Sequence, residues 1–435
     1  MGVSLKTEQR RGHTTRVFPA RSSFSVFRET PAARAIHFKE LNCYKKRFIK
    51  IDNPWAYVNG KSGSALTRKT EVVKLAVYAK EGIKMDTEAP KSCRFIERVK
   101  ERDKIGVWGF GNVSRDVVLT LVDEGLGKEI VFYGRPTDKY ANRAGAWVED
   151  LKANALRRPR LVGTNFLDDM AGLDVIFIGV GVPRKPGQSR RDLLEMNTQV
   201  IAETSRQIRD LYEGCASQDL PILIYMGNPV TAMTWVGYKV TGFPRENIMG
   251  QAGNLDTRRI CHAVSQVLGI SGANLQGIVF GEHGDSMVAH PRYFSVSGIP
   301  LEEVIRVAGI DPQKIRDVME DAKKGGTHFV NETGQSASAG PARAACDMLR
   351  AIVKGESEVQ PVIAILQSEY SLLKREDGLD SMSFGVPAKI GPYGVEKIYE
   401  LPVEEIRSQL ERSAAVIKED LRGAAGILKE KYGIS

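Results

Sequence analysis

The sequence predicts an α/β protein in which a doubly wound parallel sheet is followed by a mixed α+β region. Three observations carry this. Short apolar runs alternate with helix-length stretches between Lys104 and Val230, as strand–helix–strand units do. A glycine-rich junction, Gly109 to Ser114, joins the first of these strands to its helix. Polar or glycine-rich segments follow the later strands, at the end of a parallel sheet where ligands bind.

Lys104 to Gly109 reads as a short buried strand. It runs into an apolar-periodic helix from Phe110 to Val122. The junction spells G-x-G-x-x-S. Gly109 permits the tight turn, and Gly111 lets backbone N–H groups approach a pyrophosphate at the helix N-terminus. Ser114 replaces a third glycine and is small enough for close helix–strand packing. The flanking strand and helix give weight to a motif that is weak alone. Gly109, Gly111, Asn112 and Val113 are therefore candidate cofactor contacts.

The second strand, Glu129 to Tyr133, ends at Gly134-Arg135. A carboxylate at this place would grip the ribose hydroxyls of NAD. Its absence removes repulsion of a 2′-phosphate, and a guanidinium offers that phosphate a partner. Gly134 and Arg135 thus favour NADP over NAD, with either cofactor compatible with the fold.

The alternation continues with a mixed polar helix over 139–156, a strand over 173–181, a long helix over 192–213 and a strand over 220–226. The last ends at Gly227-Asn228-Pro229-Val230. Beyond it the pattern is less regular. Helices are expected over 252–268, 301–324 (one or two) and from Pro341 to Lys354. Strands are expected over 276–281, 362–366 and 382–390, the last two antiparallel, with a turn at Gly391-Pro392-Tyr393-Gly394 and a final helix from Pro402 to Lys431. The expected division is a basic extension over 1–103, a Rossmann-type dinucleotide-binding domain over 104–250 and a substrate domain over 251–435.

The chain has 435 residues, with 42% hydrophobic and 26% charged residues, which is ordinary for a globular protein of two or three domains. No apolar run is long enough to span a bilayer, so no membrane partner is expected. Five scattered cysteines lack pairing or metal-ligand spacing, which fits a reducing compartment and predicts no metal site. The net charge of +9 is uneven. Residues 1–103 carry 23 Lys+Arg against 11 Asp+Glu, and residues 104–435 carry 39 against 42. The basic character belongs to the extension, so nucleic-acid binding is not expected of the body.

Residues 1–36 are rich in Arg and Ser/Thr and poor in acids. That composition fits an organelle transit peptide, a basic tail or sequence upstream of the true start. No amphipathic helix or cleavage site stands out, which favours the latter two and a cytoplasmic protein over organelle import. Met1-Gly2 lacks the Ser or Thr at position 6 that myristoylation needs. Residues 37–60 interleave aromatic and basic residues, as single-strand binders do, but inward-packed aromatics of a small folded or partly folded appendage explain them better. Residues 66–84 read as a helix, and Met85 is a conceivable start.

The densest chemistry lies at Gly281-Glu282-His283-Gly284-Asp285-Ser286. A histidine exchanges protons near neutral pH. Asn254-Leu255-Asp256-Thr257-Arg258-Arg259 could supply a carboxylate to orient it. Val182-Pro183-Arg184-Lys185-Pro186-Gly187-Gln188-Ser189-Arg190 supplies fixed positive charge. A base, an acid and several guanidinium groups suit chemistry on a small anion.

Together these segments resemble the lactate/malate dehydrogenase family, and within it the lactate-dehydrogenase-like malate dehydrogenases. The resemblance rests on Gly109-Phe110-Gly111-Asn112-Val113, the loop from Val182 to Arg190, Asn228-Pro229-Val230, Leu255 to Arg259 and Gly281 to Val288, over about three quarters of the chain. It implies hydride transfer between a nicotinamide cofactor and oxaloacetate/malate. His283 would be the acid/base, Asp256 its partner and Arg259 the fork for the carboxylate beside the reacting carbon. Arg190 would polarise the carbonyl. Asn228 would bind the substrate oxygen at the cofactor end, and Asn197 would join the cofactor contacts. Arg184 would pair with the distal carboxylate of a C4 dicarboxylate, where lactate dehydrogenases carry glutamine. A homodimer or homotetramer is implied too.

Singly, each residue has a plainer reading. His283 could be a surface turn residue, Asp256 a helix cap, Arg258 and Arg259 a solvated pair, and Arg184 and Arg190 an exposed basic loop. Five matches in order and spacing outweigh these. His262, His290 and Cys261 lack such context and read as structural. Ser114, Thr231 and the small residues of Gln335 to Pro341 depart from the family pattern, the last at a place that bears on substrate strictness. The alternatives to a malate dehydrogenase are another 2-hydroxyacid dehydrogenase, or a nucleic-acid-binding protein acting through residues 1–103.

Overall fold

The computed structural model describes residues 101–153, 159–183, 189–374 and 377–434, together with two strands near the N-terminus. Met1–Arg94 and Phe95–Ser435 form two separate compact units. In the first, β1 (Arg47–Lys50) and β2 (Trp55–Val58) pair antiparallel. The readings of residues 1–36 and 66–84 lie outside the described residues.

In the second unit, β3 (Lys104–Trp108) leads through Gly111 into α1 (Asn112–Glu124). β4 (Glu129–Tyr133), α2 (Arg143–Lys152), β5 (Arg160–Thr164) and β6 (Val175–Ile178) follow. Then come α3 (Arg190–Leu211), β7 (Ile222–Tyr225), α4 (Val230–Thr241) and β8 (Ile248–Gly250). These six strands pair in parallel, in the spatial order β8-β7-β6-β3-β4-β5. Their apolar runs are buried on both faces, as a parallel sheet covered by helices requires. The predicted doubly wound sheet is present.

The remaining half supplies α5 (Gly253–Leu268), a three-stranded antiparallel sheet of β9 (Leu275–Gly277), β10 (Phe294–Val296) and β11 (Ile299–Pro300), and four helices. The helices are α6 (Leu301–Val307), α7 (Pro312–Lys323), α8 (Gly325–Thr333) and α9 (Ala339–Lys354). β12 (Glu358–Leu366), β13 (Met382–Gly391) and β14 (Gly394–Ile398) are antiparallel, and α10 (Arg407–Tyr432) ends the fold. β12 also pairs with β8, so one nine-stranded sheet runs through both halves. Helix α9 packs on α1, and α10 on α3 and α4. A second, smaller core of Ile260, Leu275, Phe294, Leu301, Ile315 and Met319 lies between α5, α6 and α7.

Several boundaries differ from expectation. The helix expected over 139–156 begins at Arg143, because Asn142 caps it by accepting from Gly145 N at 2.7 Å. The strand expected over 276–281 stops at Gly277, after which Phe280 and Gly281 make only single bridges to Val288 and Gly385. The final helix starts at Arg407, after a 3-10 turn at Glu404–Ile406. Strands β5, β8, β10, β11 and β14 and helices α4 and α8 were not expected. Ten of the twelve residues of α4 are buried, so no polar stripe marks its period.

Candidate active site

The parallel strands end on one side, and the segments leaving those ends carry Gly109, Gly111, Gly134 and Asn228. Gly109 follows β3 with φ +108°, a conformation few residues but glycine adopt. A Cβ there would stand 2.7 Å from Val180 Cγ1. Gly111 is the N-cap of α1, with no side-chain cap and no acid in the first turn. A Cβ at Gly111 would meet only Gly179 O, at 3.8 Å, so the helix N-terminus is open to an incoming group. Asn112 is exposed beside it and Val113 half-buried. Ser114 is fully buried against Gly179, where an added Cβ would come 2.2 Å from its Oγ. This open helix start without an acid fits a dinucleotide pyrophosphate.

Gly134 follows β4, buried, and Arg135 is exposed. Gly134 N donates to Thr164 O at 3.0 Å. Asn197, 1% exposed on α3, ties two other strand ends together. Its Oδ1 accepts from Val182 N at 2.7 Å, and its Nδ2 donates to Val182 O at 3.1 Å and Asn228 O at 2.6 Å. Asn197 therefore fixes the segments after β6 and β7, and Asn228 is left exposed between them. Arg190 is the first residue of α3, a helix start held by a capping box between Ser189 and Asp192. Arg184 lies outside the described residues.

Beyond β8, the chain enters α5. Asp256 does not cap this helix, since Ala252 is the N-cap. Its carboxylate, 4% exposed, instead faces His283, whose Nδ1 stands 2.7 Å from Asp256 Oδ2. The carboxylate accepts, so Nδ1 carries the hydrogen and Nε2 is left for another partner. Burial lowers the affinity of His283 for a proton. The charge and hydrogen bond of Asp256 more than offset this, so its pKa is raised, with Arg259 opposing and Glu282 assisting.

Arg258 and Arg259 diverge. Arg258 pairs with Asp347 of α9. Arg259 Nη1 lies 3.6 Å from Asp256 Oδ1, and its guanidinium runs along the start of α8. A Cβ at Gly326 would stand 3.5 Å from that Nη1. Gly325-Gly326 is thus part of the site that motif reading missed; its signal was two adjacent glycines at a helix start.

The loop bearing His283 is braced from behind. Phe280 and Val288 exchange backbone hydrogen bonds of 2.9 Å, and so do Gly281 and Gly385, at 2.9 and 3.0 Å. Glu282 N donates to Ser413 Oγ of α10 at 2.9 Å. Ser286 Oγ donates to the Glu282 carboxylate. His290 caps a short turn by accepting from Arg292 N at 3.3 Å. Burial pushes the Cys261 thiol up to about 11, which disfavours the thiolate.

A cavity of about 220 Å³ opens between Asn112, Phe329, Thr333 and the segment Gln335–Gly340. The small residues that depart from the family pattern therefore line the space beside the start of α1. Among the described residues no cluster of His, Cys, Asp or Glu is placed to hold a metal, and no helix is long and apolar enough to cross a membrane.

Two family models match nearly the whole second unit. Residues 103–250 match the lactate/malate dehydrogenase NAD binding domain, and residues 253–426 the lactate/malate dehydrogenase alpha/beta C-terminal domain. The chain belongs to the lactate/malate dehydrogenase family. Its relatives in this family include the malate dehydrogenase of Pelodictyon phaeoclathratiforme, 34% identical over 338 residues, covering 75% of this chain and 99% of the relative. That of Chloroherpeton thalassium is 36% identical over 328 residues, covering 73% and 96%. The solved malate dehydrogenase of Salinibacter ruber superposes with a TM-score of 0.65 at 30% identity, covering 75% and 99%.

Proposed function

We propose that the chain is a malate dehydrogenase, interconverting malate and oxaloacetate, with His283 as acid/base. The observation that carries this is the His283–Asp256 pair, with Arg259 on the same carboxylate. In malate oxidation the C2 hydrogen leaves as hydride to the nicotinamide ring, which is the chemistry the cofactor supplies when bound. The hydroxyl proton passes to Nε2 of His283, the nitrogen that Asp256 does not engage. Asp256 holds the ring in that tautomer and stabilises the imidazolium. Arg259 offers two parallel N–H groups to the carboxylate beside C2. Arg190 polarises the carbonyl, Asn228 binds the substrate oxygen, and Arg184 binds the distal carboxylate.

Gly109, Gly111, Asn112, Val113 and Asn197 form the cofactor side of this proposal, so residues 104–250 hold the dinucleotide and lend Arg184, Arg190 and Asn228 to the substrate, while residues 251–435 supply Asp256, Arg259 and His283. At the ribose end we favour NADPH alongside NADH. Support comes from the buried Gly134, the missing carboxylate after β4 and the exposed Arg135. A homodimer or homotetramer and a cytoplasmic location complete the reading. Free Cys215, Cys261 and Cys346 support a reducing compartment.

The decisive assay is oxaloacetate and pyruvate reduction at equal concentration, each with NADH and with NADPH. Oxaloacetate is expected to be reduced faster. Faster reduction of pyruvate would remove the role given to Arg184. The small residues at Gln335–Gly340 favour a second reading, a dehydrogenase that also accepts bulkier 2-oxo acids. Comparing side-chain-extended 2-oxo acids in the same assay separates the two.

A further inference from the structure

We propose that Arg143 and Arg115, with Arg135, form a 2′-phosphate subsite around Phe110, selecting a 2′-phosphorylated adenosine. The inference rests on the ribose-end reading above and adds the residues that would execute it.

The geometry begins at Gly134. A Cβ on this residue would stand 3.1 Å from Ala144 Cβ and 3.3 Å from Phe110 Cβ. The first turn of α2 and the glycine junction therefore close together on the end of β4, where a dinucleotide fold holds the adenosine ribose. A side chain at 134 would require both to give by a few tenths of an ångström. Phe110 is fixed by stacking on Phe132, with ring centroids 5.4 Å apart. Two guanidinium groups share its ring. Arg143 Cζ is 5.1 Å and Arg115 Cζ 5.6 Å from its centroid.

These cations are poorly compensated. The Nε of Arg143 is buried and has no hydrogen-bond partner among the described residues. Arg115 donates to the neutral Asn112 Oδ1, at 2.5 Å. Neither arginine, nor Arg135, has an ion pair among the described residues. The one acid on the loop from Gly134 to Asn142 is Asp138, which is exposed. A desolvated guanidinium with an unused donor is unfavourable until an anion meets it. A phosphate monoester, carrying nearly two charges at neutral pH, satisfies planar guanidinium forks better than a ribose hydroxyl can. Ring stacking holds the forks in place before the phosphate arrives.

The test is calorimetric binding of 2′,5′-ADP, 5′-AMP and inorganic phosphate to the full chain and to Arg143→Ala, with NADPH and NADH kinetics alongside. The wild type is expected to bind 2′,5′-ADP at least about tenfold more tightly than 5′-AMP, and inorganic phosphate weakly. Arg143→Ala is expected to reduce that preference, and the NADPH:NADH ratio of kcat/KM, about tenfold. Arg143→Lys should restore part of it. If the wild type discriminates and Arg143→Ala discriminates equally, the inference fails while the ribose-end reading stands on Arg135. If the wild type does not discriminate, both fail. Inorganic phosphate binding as tightly as 2′,5′-ADP would mark a general anion site and overturn the inference. Should Arg143→Ala not fold, Arg115→Gln is read by the same ratio.

Discussion

His283 Nδ1 lies 2.7 Å from Asp256 Oδ2, although the two residues reach the site from different directions. Asp256 rides the first turn of α5, just beyond β8. His283 sits in a loop pinned to β13 and α10. Their relation is therefore set by the sheet and two helices, so the imidazole is aimed before substrate arrives.

The first prediction concerns that pair. Asp256→Asn should lower kcat by about 10²–10⁴-fold, because the ring loses its tautomer and its counter-charge. Oxaloacetate reduction needs His283 protonated. Its kcat/KM should therefore persist above the ordinary histidine value and decline as pH rises through the raised pKa. In Asp256→Asn the decline should move to lower pH, since burial and Arg259 are left unopposed by that carboxylate. An unchanged midpoint would show that another group controls the profile. The linked stability has the same sign. A raised folded-state pKa means the pair stabilises most below the unfolded histidine pKa, about 6.5, and this contribution is lost as pH rises through the folded value.

Arg259 gives a second prediction. Lysine keeps the charge but not the fork. Arg259→Lys should reduce kcat/KM for oxaloacetate about 100-fold, roughly 2.7 kcal/mol. The loss should appear in steady-state kinetics on oxaloacetate, while cofactor binding monitored by nicotinamide fluorescence persists. A less than threefold loss would remove Arg259 from the substrate site.

The bracing of the loop is testable through stability. Ser413 Oγ accepts the buried Glu282 N–H. Ser413→Ala removes that acceptor, which should cost about 1–3 kcal/mol in denaturant unfolding. Added activity loss would show that the brace also positions His283.

How much of this was legible depended on distance along the chain. The junction Gly109–Ser114 was readable because strand, turn and helix are contiguous. Asp256, Arg259 and His283 were readable only as motifs that resemble a family; their convergence depends on pairings such as β8 with β12 that local pattern does not specify. Helix α4 escaped because burial on all sides erases amphipathic periodicity. Arg143 and Arg115 escaped because neither belongs to a motif. Phe110 makes them neighbours, and that appears only once α2 packs against the junction.

Gly385 supplies the last prediction. A Cβ on this strand residue would fall 2.5 Å from Gly281 O and 3.0 Å from Gly281 N, both backbone atoms that cannot rotate away. Gly385→Ala should break the paired hydrogen bonds between Gly281 and Gly385, destabilise by about 1–3 kcal/mol and displace His283 from Asp256. Gly426 is the contrast. It lies exposed in α10, and nothing stands within 4 Å of its added Cβ. Gly426→Ala should stabilise by about 0.5–1 kcal/mol through helix propensity and a less flexible unfolded chain. Thermal unfolding and kcat measured on both variants decide it. If the two substitutions shift the melting temperature alike, contact at Gly281 does not explain why β13 carries glycine there.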